Sequence, residues 1–198
     1  MLAAQLADML WPIFLLLGWE RVQIVPGVTR VTPLDFISYP YSHSLLAELA
    51  WAAALGGVYY AIRRNARGAI VLALCVPTHW LLDYITHVPD MPIVPGDARY
   101  GLGLWNFPVA TMVVEFVLFA GGVAIYLSAV TLKNRTHKYW LWSLLILLCV
   151  LYLASTFGPP PPDTHTLAIS ALAIWLTVPW AAWADWHSRF RRSESSRN

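Results

Sequence analysis

Charged side chains are scarce in this sequence: they make up 12% of its 198 residues, whereas soluble globular domains carry about 25%. Cysteine is also scarce, and Cys75 and Cys149 each lie inside an apolar run, which argues against a disulfide framework. The net charge of +2 is too small and too dispersed for nucleic-acid binding. These shortages indicate a polytopic membrane protein rather than a soluble one.

Long apolar runs are what the sequence has in abundance, since 58% of the residues are hydrophobic. A helix that crosses about 30 Å of hydrocarbon needs roughly 20 such residues. The runs that meet this length are 2–19, 40–62, 68–87, 107–132, 138–157 and 165–187. They predict an all-α bundle of about six transmembrane helices in a single membrane domain, 1–188, followed by a polar, basic tail, 189–198.

The basic residues are distributed unevenly between the two sides of this predicted bundle. Ten of the thirteen lie in alternate loops and in the tail, around 63–67, 133–138 and 189–197. Because cytoplasmic loops are enriched in Lys and Arg, both termini are predicted to be cytoplasmic. The longer loops 20–39 and 88–106 then face the outer, periplasmic side of a bacterial-type inner membrane, with membrane lipids as partners.

Two short stretches, "PYSHSLL" at 40–46 and "THWLLDYITH" at 78–87, place polar groups in these apolar segments. His79, Asp83 and His87 recur at one-turn intervals on one stripe of a helix, and His43 lies at the same predicted depth. Such groups are costly in lipid unless something compensates for them. A divalent metal would do so, and we expect zinc, with manganese or iron as alternatives, bound by His43, His79, Asp83 and His87.

A metal ion at this place suggests hydrolysis, because it would activate a water molecule for attack on an ester or amide. The candidate general bases are Asp35, Asp90 and Glu115. Asp8 interrupts the first apolar segment, and the sequence leaves open whether it is a functional carboxylate or an interfacial one. The site lies near the outer face, which suits lipid-like or amphipathic substrates.

The stretches "YSHSLL" and "THWLLDYITHVPDMPIVPG" resemble a family of inner-membrane metal-dependent hydrolases, sometimes described as LexA-binding. Its members carry Thr-His-Ser-Leu-Leu, then Ser-His-x-x-x-Asp on a membrane helix, then a Pro-rich turn. The matching residues are Ser42–Leu46, Thr78–His79 with Asp83, and Pro89–Pro95. The resemblance covers about residues 33–105, but the family's acidic element is reduced to Pro33–Leu34–Asp35. It implies a membrane metal site and hydrolase activity.

Other functions remain open at this stage. His43 and His79 on facing helices would suit the axial ligands of a haem-binding subunit, and a purely hydrogen-bonded cluster would suit a non-catalytic scaffold or assembly factor. A lipid phosphatase is disfavoured because no Arg or Lys occurs between Gly68 and Arg99 to hold phosphate. The alkaline-ceramidase type of membrane hydrolase needs a later His-x3-His that this sequence lacks.

Overall fold

The computed structural model describes residues 1–96, 98–130 and 135–184, and 67% of it is helical. The α-helices are α1 (Leu6–Leu16), α2 (Leu45–Arg63), α3 (Ala66–Cys75), α4 (Thr78–Thr86), α5 (Pro108–Ala129), α6 (Arg135–Phe157) and α7 (Thr164–Ala171). Shorter 3-10 turns cover Ala3–Gln5, Leu104–Asn106 and Leu172–Leu176, and residues 177–184 are again helical. The expected predominance of helix is confirmed.

Within the described residues, five helices are long and apolar enough to cross a membrane. They are Leu45–Arg63, Ala66–Thr86, Pro108–Ala129, Lys138–Phe157 and Thr164–Ala184, and they match the second to sixth predicted segments. Pro77 interrupts the second of these helices and divides it into α3 and α4, because proline cannot donate the backbone hydrogen bond that a continuous helix needs.

The first predicted segment, 2–19, is shorter in the structure. Its helical part runs from Ala3 to Leu16, which is about 21 Å at about 1.5 Å per residue and too short for about 30 Å of hydrocarbon. The helix ends because Gly18 adopts a left-handed conformation with φ +72°. Backbone N–H groups of Leu17 and Trp19 then bond back to the Ile13 and Phe14 carbonyls, which satisfies the last turn.

The two long loops 20–39 and 88–106 each contain an antiparallel hairpin that the sequence did not predict. In the first, β1 (Arg21–Ile24) pairs with β2 (Leu34–Ser38); in the second, β3 (Met91–Pro92) pairs with β4 (Arg99–Tyr100). These strands are too short to give a clear two-residue periodicity, so the sequence predicts only loops at 20–39 and 88–106. The fold is therefore helical with two small hairpins rather than helical throughout.

The described residues form two compact units. The first comprises 1–108 and 160–174, and the second comprises 109–159 and 175–184. The prediction of a single domain over 1–188 stays a prediction, and the tail 189–198 lies outside the described residues.

The first unit has an apolar core that joins its hairpins to its helices. The buried members of this core are Trp11, Val22, Phe36, Tyr39, Trp80 and Met91. They come from α1, α4, three of the four strands and the start of the "YPYSHS" turn, so burying them fixes the loops over the ends of the helices.

The second unit is built on α5 and α6. In it, Leu141 and Leu144 are buried, and Trp140 stacks on Trp183 with ring centroids 4.5 Å apart.

Helices α2 and α3 form a tight hairpin in the first unit. Arg64 ends α2 in a left-handed conformation, and the Asn65 side chain accepts a hydrogen bond of 3.0 Å from the Gly68 N–H to begin α3. Along the hairpin the helices approach closely at Gly56, where a Cβ would lie 3.1 Å from both the Ala69 carbonyl oxygen and the Ala73 Cβ. This contact fixes how far α2 and α3 slide along each other.

We predict that Gly56→Val lowers the thermal stability of the protein in detergent, because overpacking a close contact costs about 1–3 kcal/mol. Gly57→Val is the matched control: it makes the same change on the same helix, where a Cβ meets nothing within 4 Å. Equal thermal midpoints for the two variants would show that the Gly56 contact does not hold α2 and α3 together.

Candidate metal site

His79 lies at the start of α4, just after the proline that separates it from α3. Its backbone N–H bonds to the Val76 carbonyl at 3.0 Å, and its ring is buried. The Nδ1 atom lies 3.0 Å from the carbonyl oxygen of Ala4. Since a carbonyl only accepts, Nδ1 carries the proton, and the lone pair of the neutral ring is on Nε2.

His43 lies in the turn that leads into α2. Ser44 caps this helix by accepting a hydrogen bond of 3.1 Å from the Ala47 N–H, as expected for a serine at this position. The buried His43 ring has its Nδ1 2.6 Å from the Ser42 hydroxyl. Its Nε2 therefore points the other way, towards α1 and α4.

Two carboxylates meet the two Nε2 atoms. Oδ1 of Asp8 lies 3.5 Å from Nε2 of His43 and 3.6 Å from Nε2 of His79. Oδ2 of Asp83 lies 3.7 Å and 3.2 Å from the same two atoms. The ligand atoms of Asp8, His43 and His79 all lie within 4.8 Å of one another. The three elements that supply the site are α1, the turn before α2, and α4.

The distances within the group of Asp8, His43 and His79 are close to those of a metal site. Zinc bonds of about 2.0–2.1 Å in a tetrahedron place neighbouring ligand atoms about 3.3–3.4 Å apart. Nε2 of His79 is buried and makes no hydrogen bond within the described part of the chain, although Asp83 Oδ2 lies 3.2 Å away. Two carboxylates around two imidazoles require a positive charge, which either protonated imidazoles or a divalent metal held by Asp8, His43 and His79 would supply.

Asp8 is the member of this site for which the sequence left two roles open. Its side chain is 42% exposed, compared with 17% for Asp83, so the site is more open on the side of α1. The sequence signal was an acidic residue inside an apolar run. Spacing could not connect it to His43 or His79, because 35 or more positions separate them.

His87 lies in a different cluster from His43 and His79. Helix α4 ends at Thr86, and His87 is already extended, with ψ 150°, as the approach to Pro89 favours. Its Nδ1 lies 3.0 Å from Oδ1 of Asp90, and its ring packs against Trp105 with centroids 4.1 Å apart. The structure therefore pairs two predicted site residues, His87 and Asp90, with each other.

Tyr39 connects this second cluster to the first. Its hydroxyl donates to Oδ1 of Asp90 at 2.8 Å, and its ring centroid lies 5.3 Å from that of His43. Burial and the neighbouring Asp90 carboxylate raise the pKa of Tyr39, so the hydroxyl remains a donor. The cluster of Tyr39, His87 and Asp90 thus supports the turn that carries His43.

The other two predicted bases belong to different units. Asp35 is on β2 next to the buried Phe36, and because successive side chains of a strand point to opposite faces, Asp35 faces away from the core that Phe36 joins. Glu115 is on α5, in the second unit.

Two buried glutamates near the site were not predicted as part of it. Glu48 is fully buried on α2 and accepts a hydrogen bond of 3.3 Å from the backbone N–H of Trp80, next to His79. Glu20, in the loop between α1 and β1, is 2% exposed and bonds to Ser42. Burial raises the pKa of Glu20, while the hydrogen bonds from Ser42 and Tyr41 act in the opposite direction.

The chain matches no protein-family model, no curated protein and no solved structure. The resemblance to the inner-membrane hydrolases therefore depends on the short motifs around His43, His79 and Asp83, and it stays a hypothesis.

We predict that His79→Ala abolishes zinc binding, whereas His87→Gln leaves it unchanged, because His79 has a ring nitrogen facing Asp8 and Asp83 and His87 instead pairs with Asp90. Loss of a supporting residue typically lowers metal affinity about 10–100-fold, and loss of a ligand should exceed that range. The measurement is zinc content by elemental analysis after reconstitution and dialysis of the purified protein. Zinc retained by His79→Ala but lost from His87→Gln would place the metal in the second cluster.

Proposed function

We propose that this protein is a membrane-embedded, metal-dependent hydrolase that cleaves an ester or amide bond of a lipid-like or amphipathic substrate. The observation that carries the proposal is the convergence of two imidazole Nε2 atoms and two carboxylate oxygens, with separations of 3.2–3.7 Å between nitrogen and oxygen. Zinc is the metal that best fits the nitrogen and oxygen ligands, with manganese and iron as alternatives.

Each residue of the site has a distinct role in this proposal. A bound metal ion would lower the pKa of a water molecule to about 7 and polarise the scissile carbonyl. His43, His79 and Asp83 would hold the ion, and Asp83 is fixed one helical turn from His79. Asp8, the more exposed carboxylate, accepts the proton of the attacking water and passes it to the leaving group. Asp8 thereby takes the role that we expected of Asp35, Asp90 or Glu115.

We also propose that the site faces the outer side of a bacterial-type inner membrane. His43 and Asp83 lie near those ends of α2 and α4 where the hairpins are attached, whereas Arg63, Arg64 and Arg67 surround the turn at the opposite end of α2. The enrichment of basic residues in cytoplasmic loops then places the arginine turn inside and the hairpins outside.

Helix α1 reaches only partway across in this arrangement. Ala3, at its start, is buried against Ala52 and Val76, which lie in the middle parts of their membrane helices. The N-terminal side of α1 thus ends at mid-depth, and the helix leads out to the hairpin side at Gly18. This arrangement supports five crossings and does not require a cytoplasmic N-terminus.

Two other functions are less well supported. A haem would have to fit between His43 and His79, whose ring centroids are 5.4 Å apart, and Asp8 and Asp83 occupy the space that their Nε2 atoms face. A non-catalytic scaffold would use the same four residues only to hold α1, α2 and α4 together, which is the outcome if no metal-dependent reaction is found.

We predict that the zinc-loaded protein hydrolyses acyl esters or amides in mixed micelles, tested with p-nitrophenyl esters and acyl p-nitroanilides of short and long fatty acids. Asp8→Asn should keep three ligands and bind zinc but lose about 10²–10⁴-fold in rate, as expected for loss of a general base. His79→Ala is the metal-free control.

Chelation should lower the thermal midpoint of the zinc-loaded protein, and added zinc should restore it. If the zinc-loaded protein hydrolyses none of the substrates faster than His79→Ala does, the hydrolase proposal fails and the scaffold function is the better explanation.

We predict that Ala98→Cys reacts with a membrane-impermeant thiol reagent added to intact cells, whereas Ala66→Cys reacts only after the cells are opened. Both alanines are exposed, and both free native cysteines, Cys75 and Cys149, are replaced by serine in the parent protein. The opposite labelling pattern would move the site to the cytoplasmic face.

A further inference from the structure

We propose that Glu20 is a positioning residue for the metal site: acting through Ser42, it sets the tautomer of His43 so that the Nε2 lone pair faces Asp8 and Asp83. This inference rests on the proposed metal site, and it assigns a function to a residue that acts on His43 only through Ser42.

Both carboxylate oxygens of Glu20 accept hydrogen bonds from the Tyr41–Ser42 turn. Its Oε1 accepts hydrogen bonds of 2.8 Å from the backbone N–H groups of both Tyr41 and Ser42. Its Oε2 accepts a hydrogen bond of 2.7 Å from the Ser42 hydroxyl. The same hydroxyl oxygen lies 2.6 Å from Nδ1 of His43. Glu20, Ser42 and His43 are all at most 4% exposed, so water does not compete effectively for these bonds.

The direction of this chain follows from counting protons. When Glu20 is ionised, the form that its two backbone N–H donors favour, the carboxylate has no proton to give, so the single hydroxyl proton of Ser42 goes to Glu20. The Ser42 oxygen can then only accept from His43, which means that Nδ1 carries the proton. A neutral imidazole has one lone pair, and it must then lie on Nε2, 3.5 Å from Asp8 and 3.7 Å from Asp83.

His79 reaches the same state by another route, since the Ala4 carbonyl accepts from its Nδ1 at 3.0 Å. A main-chain carbonyl always accepts, so this tautomer is fixed by the backbone. At His43 the acceptor is the Ser42 hydroxyl, which can also donate. A second group is therefore needed to fix the direction of this hydrogen bond. Glu20 supplies that group. Ligating histidines commonly donate their second ring nitrogen to a carboxylate in this way, and here a serine stands between the two.

The alternative is that Glu20 only ties the Tyr41–Ser42 turn to the end of α1. Glu20→Gln separates the two roles because it has nearly the same shape. The glutamine oxygen should face the two backbone N–H groups, since the reverse orientation would set three donors against one another. Its NH₂ group then donates to the Ser42 oxygen, whose proton turns to Nδ1 of His43. The tautomer reverses, and an N–H replaces the lone pair on Nε2.

The test compares Glu20→Gln, Ser42→Ala and Ser42→Thr in the full-length protein. ¹⁵N NMR of histidine-labelled, metal-free protein reports the tautomer of His43, and titration with zinc alone reports the affinity. We expect Glu20→Gln to reverse the His43 tautomer and to weaken zinc binding by about 10–100-fold or more, the lower figures being typical for loss of a supporting residue. Ser42→Ala removes the relay without reversing it and should cost less, and Ser42→Thr should retain the wild-type tautomer and affinity.

A purely structural role predicts a different order, in which Ser42→Ala, which loses more hydrogen bonds, is at least as harmful as Glu20→Gln. That order, or an unchanged tautomer in Glu20→Gln, overturns the proposal. If Glu20→Gln does not fold, the comparison is between Ser42→Ala and Ser42→Thr. The proposal is then overturned when these two variants have the same His43 tautomer and the same zinc affinity. If the wild type takes up no zinc but the tautomer still reverses, the hydrolase proposal fails and the relay stands.

Discussion

The arrangement of the first unit depends on how two imidazoles and two carboxylates are accommodated near the end of an apolar bundle. Two imidazoles and two carboxylates with nitrogen–oxygen separations of 3.2–3.7 Å are costly in a medium of low polarity unless their charges are balanced. The surroundings are organised for that balance. The Ala4 carbonyl and the Ser42 hydroxyl hold the outer ring nitrogens, and α1 brings a carboxylate to the side that α4 leaves open. Protein groups thus hold the outer ring nitrogens, and the balancing positive charge comes either from protonation of the imidazoles or, as proposed, from a bound cation.

This requirement accounts for the hairpins as well. His43 precedes α2 and is not held by a regular helix, so the turn around it needs support from outside. That support comes from Glu20 on one side and from Tyr39, which joins Asp90 and the apolar core, on the other. Gly101 adds to it: a Cβ there would lie only 2.2 Å from the Val88 carbonyl oxygen, so the second hairpin can approach the end of α4 only through a glycine. The loops thus hold His43 in place through the contacts of Glu20, Ser42 and Tyr39.

The parts of this structure that sequence could predict are those that depend on local periodicity. Apolar run length identified the five long helices, and one-turn spacing put His79 and Asp83 on the same side of α4. The same spacing predicted that His87 lies beside His79 and Asp83. In the structure α4 ends at Thr86, ahead of Pro89, and His87 lies in the second cluster instead. Asp8 and Glu20 could not be connected to His43 in this way, because their contacts depend on where α1 ends. That in turn depends on Gly18 and on packing against α2 and α4, and single-sequence reasoning does not resolve such packing.

If the bundle lies in a membrane as proposed, the short length of α1 has a consequence for the surrounding lipid. A helix of about 21 Å in hydrocarbon of about 30 Å leaves the remainder of that column to be filled by acyl chains or by a thinner bilayer. Lipid that bends into this space is strained relative to its neighbours, at a modest cost for each ångström of mismatch. The site would then lie beside a local defect in the leaflet, where a lipid-like molecule leaves the bilayer more easily than it does elsewhere. Membrane thickness itself would therefore influence how readily such a molecule reaches Asp8.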